Sequence, residues 1–343
     1  MAGTTPRLSV VVKFSHPVCV PVLLALTVCA LYWLMPGSTL MLTRIAILAI
    51  FVMSLDLVTG YAGLASLGHA ALFGMGAYAA GLCALHVTTD PLLGLLAAGL
   101  AGAALALLAG AFLVRWQGLA FLMLTIAVAQ IMQNLASKMQ AVTGGDDGLS
   151  GFEVAPVLGR FEFDMFGVTG YWYSACLLLL TYVVLRQIMH SPFGLAVQGI
   201  RENRERMQAN GTRMYPLLLR LYVLSGAFAG LAGGLSAQVT QVVGLDSLGF
   251  GLSAEALVML VLGGAGNLLG AVVGTALFVG IHHFASMANP FHWLFVVGGL
   301  LMAVVFLPQG RLQYLVWVRL NRISAGLRRK AGSNVGLTAK GDL

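Results

Sequence analysis

From Ala256 to Gln309 the chain carries no Asp, Glu, Lys or Arg. A bilayer core about 30 Å thick takes about 20 apolar residues as helix, so this run is too long for one span and too oily for a soluble surface. Gly263-Gly264-Ala265-Gly266-Asn267 and Met287-Ala288-Asn289-Pro290 divide it into three spans. The rest of the chain agrees. It is 59% hydrophobic and 9% charged, where soluble domains carry roughly 25% charged residues. The expectation is an all-α, polytopic membrane protein.

Seven more apolar stretches precede that run: 18–35, 40–59, 60–82, 91–114, 119–136, 166–185 and 217–239. The total is about ten transmembrane helices. Residues 1–16 form a basic lead, 17–310 the membrane domain and 311–343 a basic tail. An even count puts both termini on one side. With the termini cytoplasmic, only Arg44, Lys138 and Arg160 fall outside, so 16 of the 19 basic residues lie inside, as the positive-inside rule requires. The acidic 137–165 loop, with Asp146 and Asp147, then faces outward. The net charge of +7 is spread over loops and tail, which excludes the basic face of a nucleic-acid-binding domain. Cys19, Cys29, Cys83 and Cys176 lie in apolar stretches without metal-ligand spacing and are expected as free, buried thiols. The first apolar run lacks an A-x-A-like site, so no removed signal peptide is expected.

The 191–215 segment breaks the oily pattern. Between Arg201 and Arg213 stand four arginines and two glutamates. Ser191 is placed to cap a helix and Pro192 to begin it. Phe193, Ala196, Val197 and Ile200 recur at helical spacing. Arg201 with Glu205, and Glu202 with Arg206, are opposite charges four apart. Asn210-Gly211 supplies a stop. One short amphipathic helix at the membrane surface is predicted, and an ordinary basic cytoplasmic loop is the simpler alternative.

Glycine numbers 43, and small residues let helix backbones approach closely in lipid. Gly74-x-Gly76 marks such a contact or a break within a span. The two densest glycine regions, Gly60–Gly81 and Gly263–Gly274, each follow an inward span and precede an outward one, which points toward a translocation path. Charge at the bilayer centre costs at least about 2.5–3.5 kcal/mol, so Asp56 and Glu255 serve a function or sit at an interface. His69 is a packing or a path residue. Gln130, Gln133 and Asn134 share a helix face as interhelical glue or path lining. Ser66 and Asn267 complete the path candidates. His282-His283 point apart on a helix and lack convergent partners for a metal. No G-x-x-x-x-G-K-[ST] occurs, so the chain has no phosphate-binding loop of that kind.

Four ordered blocks resemble one family: GYAGLASLGHAALFGMGAYAAG from Gly60, TGGDDGLSG from Thr143, the long stretch Phe193 to Leu235, and SAEALVMLVLGGAGNLLGAVVGTAL from Ser253. The chain resembles the LivM-like permease subunits of branched-chain amino acid ABC importers from about residue 40 to 310. The resemblance implies a multi-pass protein of the bacterial inner membrane that is not an enzyme and binds no cofactor itself. ATP would be bound by two cytoplasmic ATPase subunits. A second, LivH-like permease subunit and a periplasmic solute-binding protein complete the implied assembly. Some of the spans are expected to be broken, and Ile200, Arg201, Glu202, Asn203, Arg204, Glu205, Arg206 and Gly211 match the cytoplasmic coupling helix that seats on the ATPase. Branched-chain amino acids are the default solute, with urea, amides and aromatic acids as alternatives. A self-sufficient ion-coupled transporter would want ionisable groups clustered at the midplane.

Overall fold

The computed structural model describes residues 19–34, 37–156, 159, 167–288, 298, 299 and 302. The basic lead, the tail, Arg160 and, apart from residues 298, 299 and 302, the last of the three C-terminal spans lie outside the described residues. Twelve α-helices run in chain order among those described: α1 Cys19–Leu34, α2 Thr39–Asp56, α3 His69–His86, α4 Pro91–Leu113, α5 Leu119–Lys138, α6 Gln140–Thr143, α7 Val168–His190, α8 Pro192–Glu202, α9 Arg204–Ala209, α10 Met214–Thr240, α11 Phe250–Gly263 and α12 Leu268–Ala288. Among the described residues, six segments are long and apolar enough to cross a membrane: Thr39–Tyr61, Pro91–Leu113, Leu119–Lys138, Val168–His190, Met214–Thr240 and Leu268–Met287. The protein is a multi-pass, all-α membrane protein.

α2 is the axis of the bundle. From Ala49 to Asp56 every side chain is sealed from solvent, so the helix is buried on all sides rather than along one stripe. α7, α10, α11 and α12 pack around it. Beside it, α3, α4 and α10 form a three-helix seam built from small residues. On α4 the inward series is Gly94, Ala98, Gly102, Ala106 and Gly110, one residue in four, while Leu96, Leu100, Leu107 and Leu108 point out. Large apolar groups gain nothing by hiding from lipid, whereas small ones let backbones touch. A Cβ at Gly102 would meet the Gly226 carbonyl oxygen, and one at Gly230 would meet that of Ala98.

Several expectations need correction. The stretch 60–82 is not one span. α2 runs on through a π-helical turn, Leu57–Tyr61, and the chain then leaves helix until His69. Gly74 and Gly76 lie inside unbroken α3 and are close-packing contacts, not a break. A Cβ at Gly76 would meet Gly230 of α10, and one at Gly74 would meet Leu248. The thiols of Cys29 and Cys176 are free but exposed, and Cys83 is half-buried, because an apolar position in a membrane helix need not face inward.

At one end of the bundle a two-residue antiparallel ladder joins β1 (Leu149–Ser150) to β2 (Val242–Val243), with Leu149 opposite Val243. It ties the Asp146 loop to the far end of α10. The α8–α9 segment precedes the near end of the same helix. α10 has 27 residues, about 40 Å at 1.5 Å per residue. The acidic loop and the arginine-rich segment therefore lie at opposite ends of the bundle.

Candidate functional site

The two glycine-rich breaks meet. Gly60 has room for no side chain, since a Cβ there would strike Asp56 Oδ1 and the backbone nitrogen of Gly266. Gly266 N–H donates to Asp56 Oδ1 at 2.7 Å. Gly264 and Gly266 hold positive φ values of 90° and 88°, a conformation open to glycine at little cost. Asp56 is wholly buried and its Oδ2 accepts no hydrogen bond. The π turn that creates this juncture is a deviation often found at functional positions.

Above the juncture lies a second polar cluster. Ser54 donates to the Phe51 carbonyl at 2.6 Å, and Ser225 donates to the Ser54 carbonyl at 2.6 Å. Both hydroxyls also lie beside His69 Nε2, at 3.1 and 3.2 Å. With each hydroxyl proton already committed, Nε2 carries the hydrogen and donates. His69 Nδ1 is then a bare acceptor, buried and unpartnered, as is the Ser66 hydroxyl. The start of α3 has no capping side chain of its own. Other helices supply it: Ser253 accepts from Ala70 N–H at 2.8 Å, and Thr125 accepts from Leu67 N–H at 3.2 Å. The 62–68 turn is thus stitched to α5 and α11. Ser54, Thr125, Ser225 and Ser253 escaped sequence reasoning because a single hydroxyl in an apolar helix carries no signal there.

The remaining path candidates scatter. Gln130 and Asn134 are exposed on the outer side of α5, with Gln133 half-buried, and the Asn134 amide donates to the Gln130 carbonyl at 2.8 Å. Glu255 is half-buried on α11, within electrostatic reach of Arg44. Asn267 is exposed and its Oδ1 accepts from Leu269 N–H at 3.2 Å. It caps α12, which is a structural task.

The arginine-rich segment is two helices, not one. Asn203 adopts an extended conformation (φ −156°, ψ 102°) and caps the second, its Oδ1 accepting from Arg206 N–H at 2.9 Å. The proposed pairs Arg201–Glu205 and Glu202–Arg206 straddle this break and lose their helical register. Ser191 occupies the cap position as expected, but its hydroxyl turns back to the Ile188 carbonyl at 2.6 Å. The apolar stripe holds: Val197 and Ile200 are fully buried and Phe193 is half-buried. Glu202, Glu205 and Arg206 are exposed and Arg204 is half-buried. Gly211 (φ 79°) closes the turn after α9 with open space around it. Arg201 leans inward along its stem. Its Cγ lies 3.2 Å from where a Cβ of Gly63 would stand, and its Nη1 lies 2.8 Å from the same point on Gly266.

The model of the branched-chain amino acid transport system permease component matches residues 38–305. The chain belongs to this family. It is 28% identical over 315 residues to the high-affinity branched-chain amino acid transport system permease protein LivM of Salmonella typhimurium, covering 84% of this chain and 74% of the relative. The LivM protein of Escherichia coli K12 matches with the same identity and coverage. No solved structure gives a significant match. In this chain two broken segments, a buried carboxylate and an adjoining charged helix pair come together at one place. It is a transport permease, with an acidic loop at one end of its bundle and an arginine-rich helix pair at the other.

Proposed function

We propose that this chain is one of two permease subunits of an ATP-driven importer in the bacterial inner membrane, moving branched-chain or related amino acids. ATP is held by separate cytoplasmic ATPase subunits, and a periplasmic binding protein delivers the solute. The α8–α9 pair faces the cytoplasm as the coupling segment, and the Asp146 loop faces the binding protein. The observation that carries this reading is the position of the two at opposite ends of α10, with the exposed charges of α9 presented outward and the apolar stripe of α8 rooted in the bundle. The outer face of α5 supports the pairing. Exposed Gln130 and Asn134 gain nothing from lipid tails, where polar groups are costly. A second permease or a water-filled path between the two subunits satisfies them.

The test is charge reversal at Arg204 and Arg206, both to glutamate. The doubly substituted chain is expected to insert normally but to lose co-purifying ATPase, or to hydrolyse ATP with leucine uptake reduced at least about tenfold, a change of about 1.4 kcal/mol in coupling. Undiminished ATPase recovery and uptake would contradict the assignment. The unaccompanied chain is expected to give no leucine uptake in vesicles with or without an ion gradient, and ion-driven uptake would establish a secondary transporter instead.

A further inference from the structure

Arg201 belongs to the stretch that resembles the ATPase-coupling helix, yet its stem lies on Gly63 and its guanidinium over Gly266. Those two glycines sit one in each broken segment, and both hold positive φ, 73° and 88°. Gly266 in turn donates to Asp56. Arg201 is within electrostatic reach of the Asp56 carboxylate, which the backbone N–H of Asn267 also faces, while its Oδ2 is buried with no partner at hydrogen-bond geometry. Ile200, the neighbour of Arg201, is sealed in the core, so α8 cannot shift without carrying the guanidinium along.

Building on the reading of α8–α9 as the coupling segment, we infer that Arg201 is an internal latch rather than an ATPase contact: its guanidinium closes on the free oxygen of Asp56 when α8 is driven inward, and so locks the 60–68 and 263–267 segments together. The driving force is unmet hydrogen-bonding capacity at Asp56 Oδ2. A buried carboxylate oxygen without a partner is costly, and a guanidinium offers five donors in a planar fork suited to carboxylates. The flanking glycines leave the passage clear, because any Cβ at Gly266 would collide with Nη1. The latch converts displacement of a surface helix into a joint state of two segments that α2, α3, α11 and α12 share. Arg201 acts through those segments and is a positioning residue.

The experiment is nucleotide-dependent labelling in the complete importer. Ala265, exposed between the two positive-φ glycines, is changed to cysteine (Ala265→Cys) in a chain whose native cysteines are serine. Maleimide labelling is compared with and without vanadate-trapped ATP, and the co-purified ATPase is quantified. The labelling rate is expected to change at least threefold on trapping. Arg201→Gln and Asp56→Asn are expected to abolish that change while retaining the ATPase, and Arg201→Lys to preserve part of it. The Arg201→Gln, Asp56→Asn double variant is expected to lose no more than either single, since residues in one interaction are not additive. Exposed Arg201 is the safer variant should Asp56→Asn fail to fold. Three results would overturn the latch: no nucleotide dependence in the starting chain, dependence surviving Arg201→Gln, or loss of the ATPase in Arg201→Gln, which would make Arg201 a docking contact. Absence of any ATPase from the unsubstituted chain would instead overturn the coupling reading itself.

Discussion

Gly76→Leu is expected to unfold the centre of the bundle. A Cβ at Gly76 would meet the carbonyl oxygen and Cα of Gly230, and Gly233 is pressed as closely on the Phe73 carbonyl. Backbone cannot move aside as a flexible side-chain tip does. Overpacking a close-packed core costs typically about 1–3 kcal/mol, and here α3 must part from α10, so about 3 kcal/mol or more is expected. In detergent the variant should show a marked fall in melting temperature and, in cells, little assembled importer. Gly251→Ala is the control. Nothing lies within 4 Å of its Cβ position, and alanine is the better helix former, so the control should be neutral or slightly stabilising. Equal melting temperatures for the two variants would mean that the α3–α10 seam is not held by backbone contact.

Ile200→Asp should be nearly as severe, by another route. Ile200 anchors α8 and is fully buried. Removing a buried isoleucine side chain costs about 2–5 kcal/mol, and an unpaired carboxylate in its place adds desolvation. The expected result is release of the α8–α9 segment from the bundle, read as new protease cleavage near Asn203 and loss of transport, with the membrane helices still inserted. Glu205→Ala, on the exposed face of α9, should stay within about 0.5 kcal/mol of the parent. Unchanged protease resistance in Ile200→Asp would show that the stripe does not hold α8.

Much of this architecture was legible because membrane helices announce themselves by length and apolarity. Span 40–59 became Thr39–Tyr61 and span 217–239 became Met214–Thr240 with little adjustment. The α8 stripe was legible for the same reason, since Val197 and Ile200 are apolar residues amid charge. The break before His69 was not, because Gly60 to Gly68 carries no charged residue to interrupt an apolar run, and hydropathy is blind to a π turn. Nor was the division of α8 from α9. Asn203 reads as an ordinary helical residue until its side chain is seen capping Arg206 N–H. The candidate site was half visible. Asp56 and Arg201 stood out as charges, but sequence separated them into a path residue and a docking residue. Only the folded juxtaposition of Gly60, Gly63 and Gly266 brings them together. The two densest glycine regions, far apart in sequence, touch through Gly60 and Gly266.

The central claim is that α8–α9 and the Asp146 loop occupy opposite aqueous faces, with α8–α9 on the side of the ATPase. It is tested most directly by cysteine labelling of Glu205→Cys and Asp147→Cys, each in a cysteine-free chain, with a membrane-impermeant maleimide. In inside-out vesicles Glu205→Cys should react and Asp147→Cys should not, and right-side-out vesicles should reverse the pattern. Reaction of both positions in the same vesicle preparation, or of Glu205→Cys from the outside alone, would contradict the account.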